Sequence, residues 1–313
     1  MLKSINKFSS ISKNVYHNFN TNFNDKYVKI VELSLRDGIQ GLNYEIPTYK
    51  KNQLMKLLVD SGLKFIEAGS FVSSKIINQF SDTPEVLEYG KNLNRNPYLS
   101  VLIPSKKYLD DAKKPEIIKN IDEIAVFTSV SDEFNKKNIN CTIDESLIKI
   151  EEIINNIKDK NIRGYISCIA GCPIQGNVST TKIVDICKWM FDRNISEVSL
   201  GDTIGTGTPY MVHQILDTLQ NNNIPMNKLA VHFHDTKGMA IENIKVALNY
   251  GIRTVDSSVG ELGGCPSAKI SENPLLNVST LNVVETLHKL GYNTNVNIDK
   301  LKEAHEYAKN FKL

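Results

Sequence analysis

The sequence predicts a (β/α)8 barrel with extra C-terminal helices. Eight short apolar runs recur at intervals of 25 to 40 residues, and helical patterns fill the gaps between them. Regular strand–helix alternation implies a parallel sheet with helices outside it, and eight such units in about 260 residues match a closed barrel. A doubly wound open sheet is the alternative. No Gly-x-Gly-x-x-Gly or Gly-x-x-x-x-Gly-Lys-[Ser/Thr] loop follows any run, which counts against it.

The strand candidates, in order, are Tyr27–Ser34, Lys64–Ser70, Tyr98–Pro104, Glu123–Ser129, Arg163–Ala170, Glu197–Thr203, Leu229–Thr236 and Thr254–Gly260. Between them, Gly62 follows the helix around Leu54–Val59, where a C-terminal glycine belongs. Thr83-Pro84 and Thr208-Pro209 read as N-cap plus first-turn proline. Thr142-Ile-Asp-Glu145 is a capping box ahead of the apolar stripe Leu147, Ile150, Ile153, Ile154 and Ile157. No linker-like stretch divides residues 25–313, which read as one barrel domain.

Residues 1–24 differ. They carry Lys3, Lys7 and Lys13, several serines and no acid, with Leu2, Ile5, Phe8, Ile11 and Val15 on one helical face. This pattern fits a mitochondrial transit peptide and a matrix location. The other reading is a disordered Asn/Lys-rich leader on a cytoplasmic protein, favoured by the lack of arginine.

Composition narrows the function classes. With 37 Lys+Arg against 35 Asp+Glu the net charge is +2, and the basic residues are scattered, so nucleic acid is not an expected partner. No apolar run approaches the roughly 18 residues of a membrane span. Five cysteines (141, 168, 172, 187 and 265) make an odd, sparse set without zinc-ligand spacing, which points to a reducing compartment.

Barrel chemistry sits at the C-terminal ends of strands. There the sequence places Arg36-Asp-Gly, Glu67, Asp202, His232-Phe-His234 and Gly263-Gly-Cys-Pro266. Alternation along a strand sends His232 and His234 the same way and Phe233 into packing. Two imidazoles and the Asp37 carboxylate suit an octahedral divalent ion, Mg²⁺ or Mn²⁺. Zinc usually takes a tighter tetrahedral set. Asp37 could instead serve only as a turn-former before Gly38, and the histidines could be hydrogen-bonded core residues. Arg36, beside a cation, would hold a substrate carboxylate or a developing enolate oxygen. Cys265, in a glycine-flanked loop, is a candidate proton donor or nucleophile, whereas Cys168 and Cys187 read as core.

These motifs, together with Ser70-Phe-Val-Ser-Ser-Lys75, Ser167-Cys-x-x-Gly-Cys-Pro173, Ser199-Leu-Gly-Asp-Thr-Ile-Gly-x-Gly-Thr-Pro209 and Val255-Asp-Ser-Ser-Val259, resemble the 3-hydroxy-3-methylglutaryl-CoA lyases, within the metal-dependent lyase and synthase barrels. The resemblance runs from about Tyr27 to about Tyr307. It implies metal ligation by Asp37, His232, His234 and an asparagine after the cysteine. Asn277, in Leu276-Asn-Val-Ser-Thr280, matches best. The spacing from Cys265 is three residues longer than in the family, so Asn273 competes. Asn-Glu after Gln40 is replaced by Gly41-Leu42, and Lys237 stands where tyrosine is usual.

The implied reaction is retro-Claisen cleavage of 3-hydroxy-3-methylglutaryl-CoA to acetyl-CoA and acetoacetate, as in leucine breakdown and ketone-body formation. Arg36 would stabilise the enolate and Cys265 would quench it. His232 is a candidate base, with Asp202 and Glu67 orienting or relaying protons. An acyl-CoA thioester is the expected partner, and a homodimer is compatible. One rival is a condensing synthase of the isopropylmalate or citramalate type. Another is a catalytically silent barrel with a binding role, motivated by the longer Cys265–Asn277 loop.

Overall fold

Each of the eight predicted runs forms a strand, because short β-branched and apolar stretches buried on both faces suit a parallel sheet covered by helices. The computed structural model describes residues 26–263 and 276–312. The 1–24 leader, Cys265 and Asn273 lie outside the described residues. The strands are β1 (Lys29–Glu32), β2 (Phe65–Ser70), β3 (Tyr98–Leu102), β4 (Glu123–Ser129), β5 (Asn161–Ser167), β6 (Glu197–Asp202), β7 (Leu229–Phe233) and β8 (Thr254–Ser257). All neighbours are parallel, and β1 pairs with β8 to close the barrel in chain order.

Among the described residues the α-helices are α1 (Thr48–Asp60), α2 (Thr83–Lys91), α3 (Lys106–Ala112), α4 (Pro115–Ile118), α5 (Asp132–Ile139), α6 (Ile143–Asn156), α7 (Thr180–Asp192), α8 (Pro209–Asn221), α9 (Ala240–Asn249), α10 (Thr280–Lys289) and α11 (Ile298–Lys309). The two helices after β8 are the expected C-terminal additions. No helix among the described residues is long and apolar enough to cross a membrane.

Local signals are realised with instructive differences. Both bonds of the Thr142–Glu145 capping box are present, and Thr208 Oγ1 accepts the Met211 N–H. Gly62, just past α1, has φ +97°. The structure corrects Thr83 as an N-cap: Asp82 takes that position. The Thr83 hydroxyl instead reaches the carbonyls of Phe80 (2.8 Å) and Ser70 (3.1 Å), tying α2 to the end of β2. Several strands stop one to three residues short of the apolar run. The rim residues turn away there to build loops: β1 ends at Glu32 because Ser34–Gly38 coils into one π-helical turn.

The main apolar core lies between strands and helices. The lumen is different. Its apolar cluster is small, with Leu102, Ala125 and Tyr165 packed against Phe127. Charged residues occupy much of the rest. Arg163 of β5 binds Asp256 of β8 through Nη2 (2.6 Å) and Nη1 (3.1 Å), and binds Glu197 of β6 through Nε (2.8 Å). Lys29 of β1 reaches Glu197 at 2.8 Å. Buried ions persist only when paired in this way.

Glu123, at the start of β4, has no direct cationic partner among the described residues. Burial raises its carboxyl to about 7, with Arg163 and Lys29 opposing and Glu197 adding to the rise. The folded state therefore holds this proton more tightly than the unfolded chain, whose ordinary value is 4.5. Its stabilising contribution is complete below that value and is lost as pH rises through about 7. Glu123→Gln is expected to raise stability at pH 8 by roughly 1–3 kcal/mol and to bring no gain at pH 4.5. Thermal melts at the two pH values check this; equal effects at both would contradict it.

A candidate metal centre at the barrel mouth

The π-helical turn after β1 is what aims Arg36 and Asp37 inward. Its wide ring is closed by the Gly38 N–H donating to the Leu33 carbonyl at 3.0 Å. Gly38 is needed there, since an added Cβ would sit 2.9 Å from Ser258 Oγ and 3.0 Å from Leu262 Cβ. Two strands away around the barrel, β7 delivers His232, and His234 follows in an isolated bridge to Asn277. The two imidazoles converge, with Nε2 atoms 3.2 Å apart. Asp37 Oδ2 lies 3.7 Å from His234 Nε2. Asp37, His232 and His234 are all buried, and each offers a ligand atom within 4.8 Å of the others.

Asn277 completes the group: its Nδ2 donates to Asp37 Oδ2 at 2.7 Å and to the Leu262 carbonyl at 3.2 Å. A half-turn of this amide would present Oδ1 to the same point. Among the described residues neither histidine Nδ1 has a hydrogen-bond partner, although both are buried. Two nitrogen lone pairs and a carboxylate facing one spot suit a divalent cation better than they suit packing.

The electrostatics keep the charges in place. Burial works against ionisation of Asp37, but Arg36 and the two histidines outweigh it and hold the carboxyl well below the usual range. Burial likewise opposes the Arg36 charge, and Glu67 and Asp37 outweigh it, raising its pKa further. Arg36 Nε binds Glu67 Oε1, and Nη1 binds Asp37 Oδ1 at 2.5 Å. The Tyr165 hydroxyl donates to Glu67 Oε2 at 3.0 Å, and its ring lies 5.4 Å from the guanidinium. Glu67 is thus engaged on both oxygens.

Asp202 is also committed. Its Oδ1 accepts the Gly205 N–H (3.1 Å) and Oδ2 the Gly207 N–H (2.8 Å). Burial raises its pKa against these bonds and against His234. The carboxylate shapes the loop after β6 and sits beside the histidines. Glu32 does comparable work at the end of β1, accepting the N–H groups of Ser34 and Val259 (3.0 Å each) and the Thr280 hydroxyl (2.6 Å).

Arg36, Asp37, His232 and His234 share a cavity of about 440 Å³ with Ile76, Phe80, Tyr108 and Phe134, and with Lys137 and Lys149. The combination offers a candidate cation site and a guanidinium at polar walls, and an apolar lane bordered by amines. Sequence reasoning did not single out Arg163, Tyr165, Ser199 and Asp256 as site residues. The available signal was polar and charged residues inside strands that are otherwise apolar.

Gly263 touches the same centre. Its φ is +146°, and a Cβ there would fall 2.2 Å from Asn277 Nδ2. Gly263→Ala is expected to push Asn277 off Asp37 and weaken Mn²⁺ binding about tenfold, while the melting temperature moves by a few degrees. Isothermal titration together with a thermal melt tests this; unchanged Mn²⁺ affinity would contradict it.

The family model described as HMGL-like matches residues 27–307. The mitochondrial hydroxymethylglutaryl-CoA lyase of Arabidopsis thaliana is 43% identical over 284 residues, covering 90% of this chain. The match spans 59% of that relative's own length. Other curated relatives of the same name include cytoplasmic as well as mitochondrial proteins. The HMG-CoA lyase of Brucella melitensis superposes with a TM-score of 0.85 at 40% identity, covering 91% of this chain and 99% of that one. The Acinetobacter baumannii HMG-CoA lyase, solved with coenzyme A and 3-methylmalate, superposes at 0.84 with 29% identity, covering 93% of each chain. The chain belongs to the HMGL-like family.

Proposed function

We propose that this chain cleaves 3-hydroxy-3-methylglutaryl-CoA to acetyl-CoA and acetoacetate. The observation that carries the reading is the convergence of Asp37, His232 and His234 in one cavity with Arg36. Asp37, His232, His234 and Asn277 would hold Mg²⁺ or Mn²⁺. Bound there, the cation would supply Lewis acidity toward the substrate's tertiary hydroxyl.

The protein's own groups divide the remaining work. His232, which lines the cavity, is the candidate to accept the hydroxyl proton through Nε2. While that nitrogen takes the proton, Asp37, His234 and Asn277 would hold the cation. Loss of the proton lets the C2–C3 bond break, leaving acetoacetate's ketone and an enolate on the thioester. Arg36 stabilises that enolate with the N–H groups not engaged by Glu67 and Asp37. Glu67 aims the guanidinium, and Tyr165 fixes Glu67. Asp202 holds the β6 loop against His234. Cys265 is proposed to protonate C2, a role supported by its Gly-Gly-Cys-Pro motif. The apolar lane and the lysines suit a pantetheine arm and its phosphates.

The test is turnover of the six-carbon thioester by the purified full chain, with Mg²⁺ or Mn²⁺ and with EDTA, beside condensation assays using acetyl-CoA and 2-oxo acids. Cation-dependent cleavage is expected. Condensation alone, or no turnover of either kind, would overturn the reading. We also propose residues 1–24 as a mitochondrial leader ahead of the 25–313 barrel. Failure of a 1–24 fusion to enter mitochondria would refute it.

A further inference from the structure

We propose that Asp256 is the positioning partner of His232, fixing the imidazole with its proton on Nδ1 so that Nε2 faces the cation position. The inference rests on the metal-site reading above. His232 of β7 pairs directly with Asp256 of β8, and the Asp256 side chain is fully buried. His232 Nδ1 is a buried nitrogen without a hydrogen-bond partner among the described residues, and Asp256 Oδ2 lies 3.5 Å away. An imidazole that offers Nε2 as a lone pair must carry hydrogen on Nδ1 when neutral. A buried N–H needs an acceptor, and this carboxylate is close enough to become one with a small shift.

The carboxylate is itself held by three hydrogen bonds. Arg163 grips both oxygens, at 2.6 Å and 3.1 Å, and Ser199 Oγ donates to Oδ2 at 2.7 Å. Arg163 is in turn held by Glu197 at 2.8 Å. The lumen ion pairs thus form a rigid bracket from β5, β6 and β8 that ends on His232. A carboxylate behind a ligating histidine sets the ring's orientation and tautomer, and its loss typically costs 10–100-fold in metal affinity. Such a bracket also accounts for ionic pairs in a lumen that apolar side chains could fill.

Asp256→Asn keeps the shape. Arg163 can only donate, so the Asn carbonyl must face it. The amide then presents N–H toward His232 Nδ1, which favours the opposite tautomer. The test is Mn²⁺ binding to the full chain, followed by electron paramagnetic resonance well below the melting temperature. Asp256→Asn is expected to bind Mn²⁺ at least tenfold more weakly than the unaltered chain. Leu216→Ala, which opens a cavity in the main core on α8 and leaves the lumen ion pairs intact, is expected to lower the melting temperature with Mn²⁺ affinity unchanged. Wild-type Mn²⁺ affinity in folded Asp256→Asn would overturn the proposal, as would equal weakening in Leu216→Ala.

Should Asp256→Asn not fold, ¹⁵N-histidine spectra of the unaltered, Mg²⁺-loaded chain give the same answer. His232 is expected to show a protonated Nδ1, and a protonated Nε2 would overturn the proposal. No Mn²⁺ binding by the unaltered chain would instead refute the metal-site reading itself.

Discussion

Arg36→Gln is expected to lower kcat by about three orders of magnitude or more, as removal of a donor aimed at a developing oxyanion does, while Mn²⁺ still binds. The guanidinium is buried, already bonded to Glu67 and Asp37, and positioned over Tyr165, so its direction is set before substrate arrives. Its charge sits next to the proposed cation position. Removing it therefore relieves repulsion there, and Mn²⁺ affinity should hold or rise. Stability should fall, because Glu67 is fully buried and loses its ionic partner. Breaking such a pair costs about 3–5 kcal/mol, and the Gln amide returns part of that. Steady-state kinetics, Mn²⁺ titration and a melt separate the effects. Unchanged turnover in a folded variant would remove Arg36 from the mechanism.

His234→Ala is expected to abolish cation-dependent turnover and to weaken Mn²⁺ binding by 100-fold or more, about 2.8 kcal/mol. The fold should tolerate the change better than it tolerates loss of Arg36. Among the described residues His234 Nδ1 bonds nothing, and its Nε2 meets His232 and Asp37; Asp37 keeps Arg36 and Asn277, so truncation strands one His232 nitrogen and no charge. A stability loss of roughly 1–2 kcal/mol is expected from the vacated volume. Titration calorimetry and a melt check the two halves; full Mn²⁺ affinity in the variant would exclude His234 as a ligand.

The contrast between these variants shows what the sequence made legible. Strand order and closure followed from apolar runs at regular spacing, because a parallel strand covered on both faces must be apolar nearly throughout. The His232–His234 pair stood out for the complementary reason: imidazoles in such a run need an explanation. Asp37 and Arg36 were legible because they follow a strand at the rim where barrels place chemistry.

The lumen was less legible. Arg163 and Asp256 are 93 positions apart, and nothing local joins them. Their pairing exists only once β5 and β8 face each other across the closed barrel. The π-helical turn that carries Arg36 and Asp37 was equally hidden, since apolar periodicity extended β1 through Ser34. Asp202 read as a relay for protons, and its position at the end of β6 was right. That its oxygens bind the backbone of its own loop depends on the turn at Gly205–Gly207, which residue type alone does not specify.

The most direct test is anomalous diffraction from crystals of the full chain grown with Mn²⁺. One strong peak is expected between the Nε2 atoms of His232 and His234 and an oxygen of Asp37, at coordination distances of about 2.0–2.3 Å. Crystals that bind Mn²⁺ elsewhere, with the two imidazoles still bonded to each other, would contradict the metal centre and the chemistry built on it.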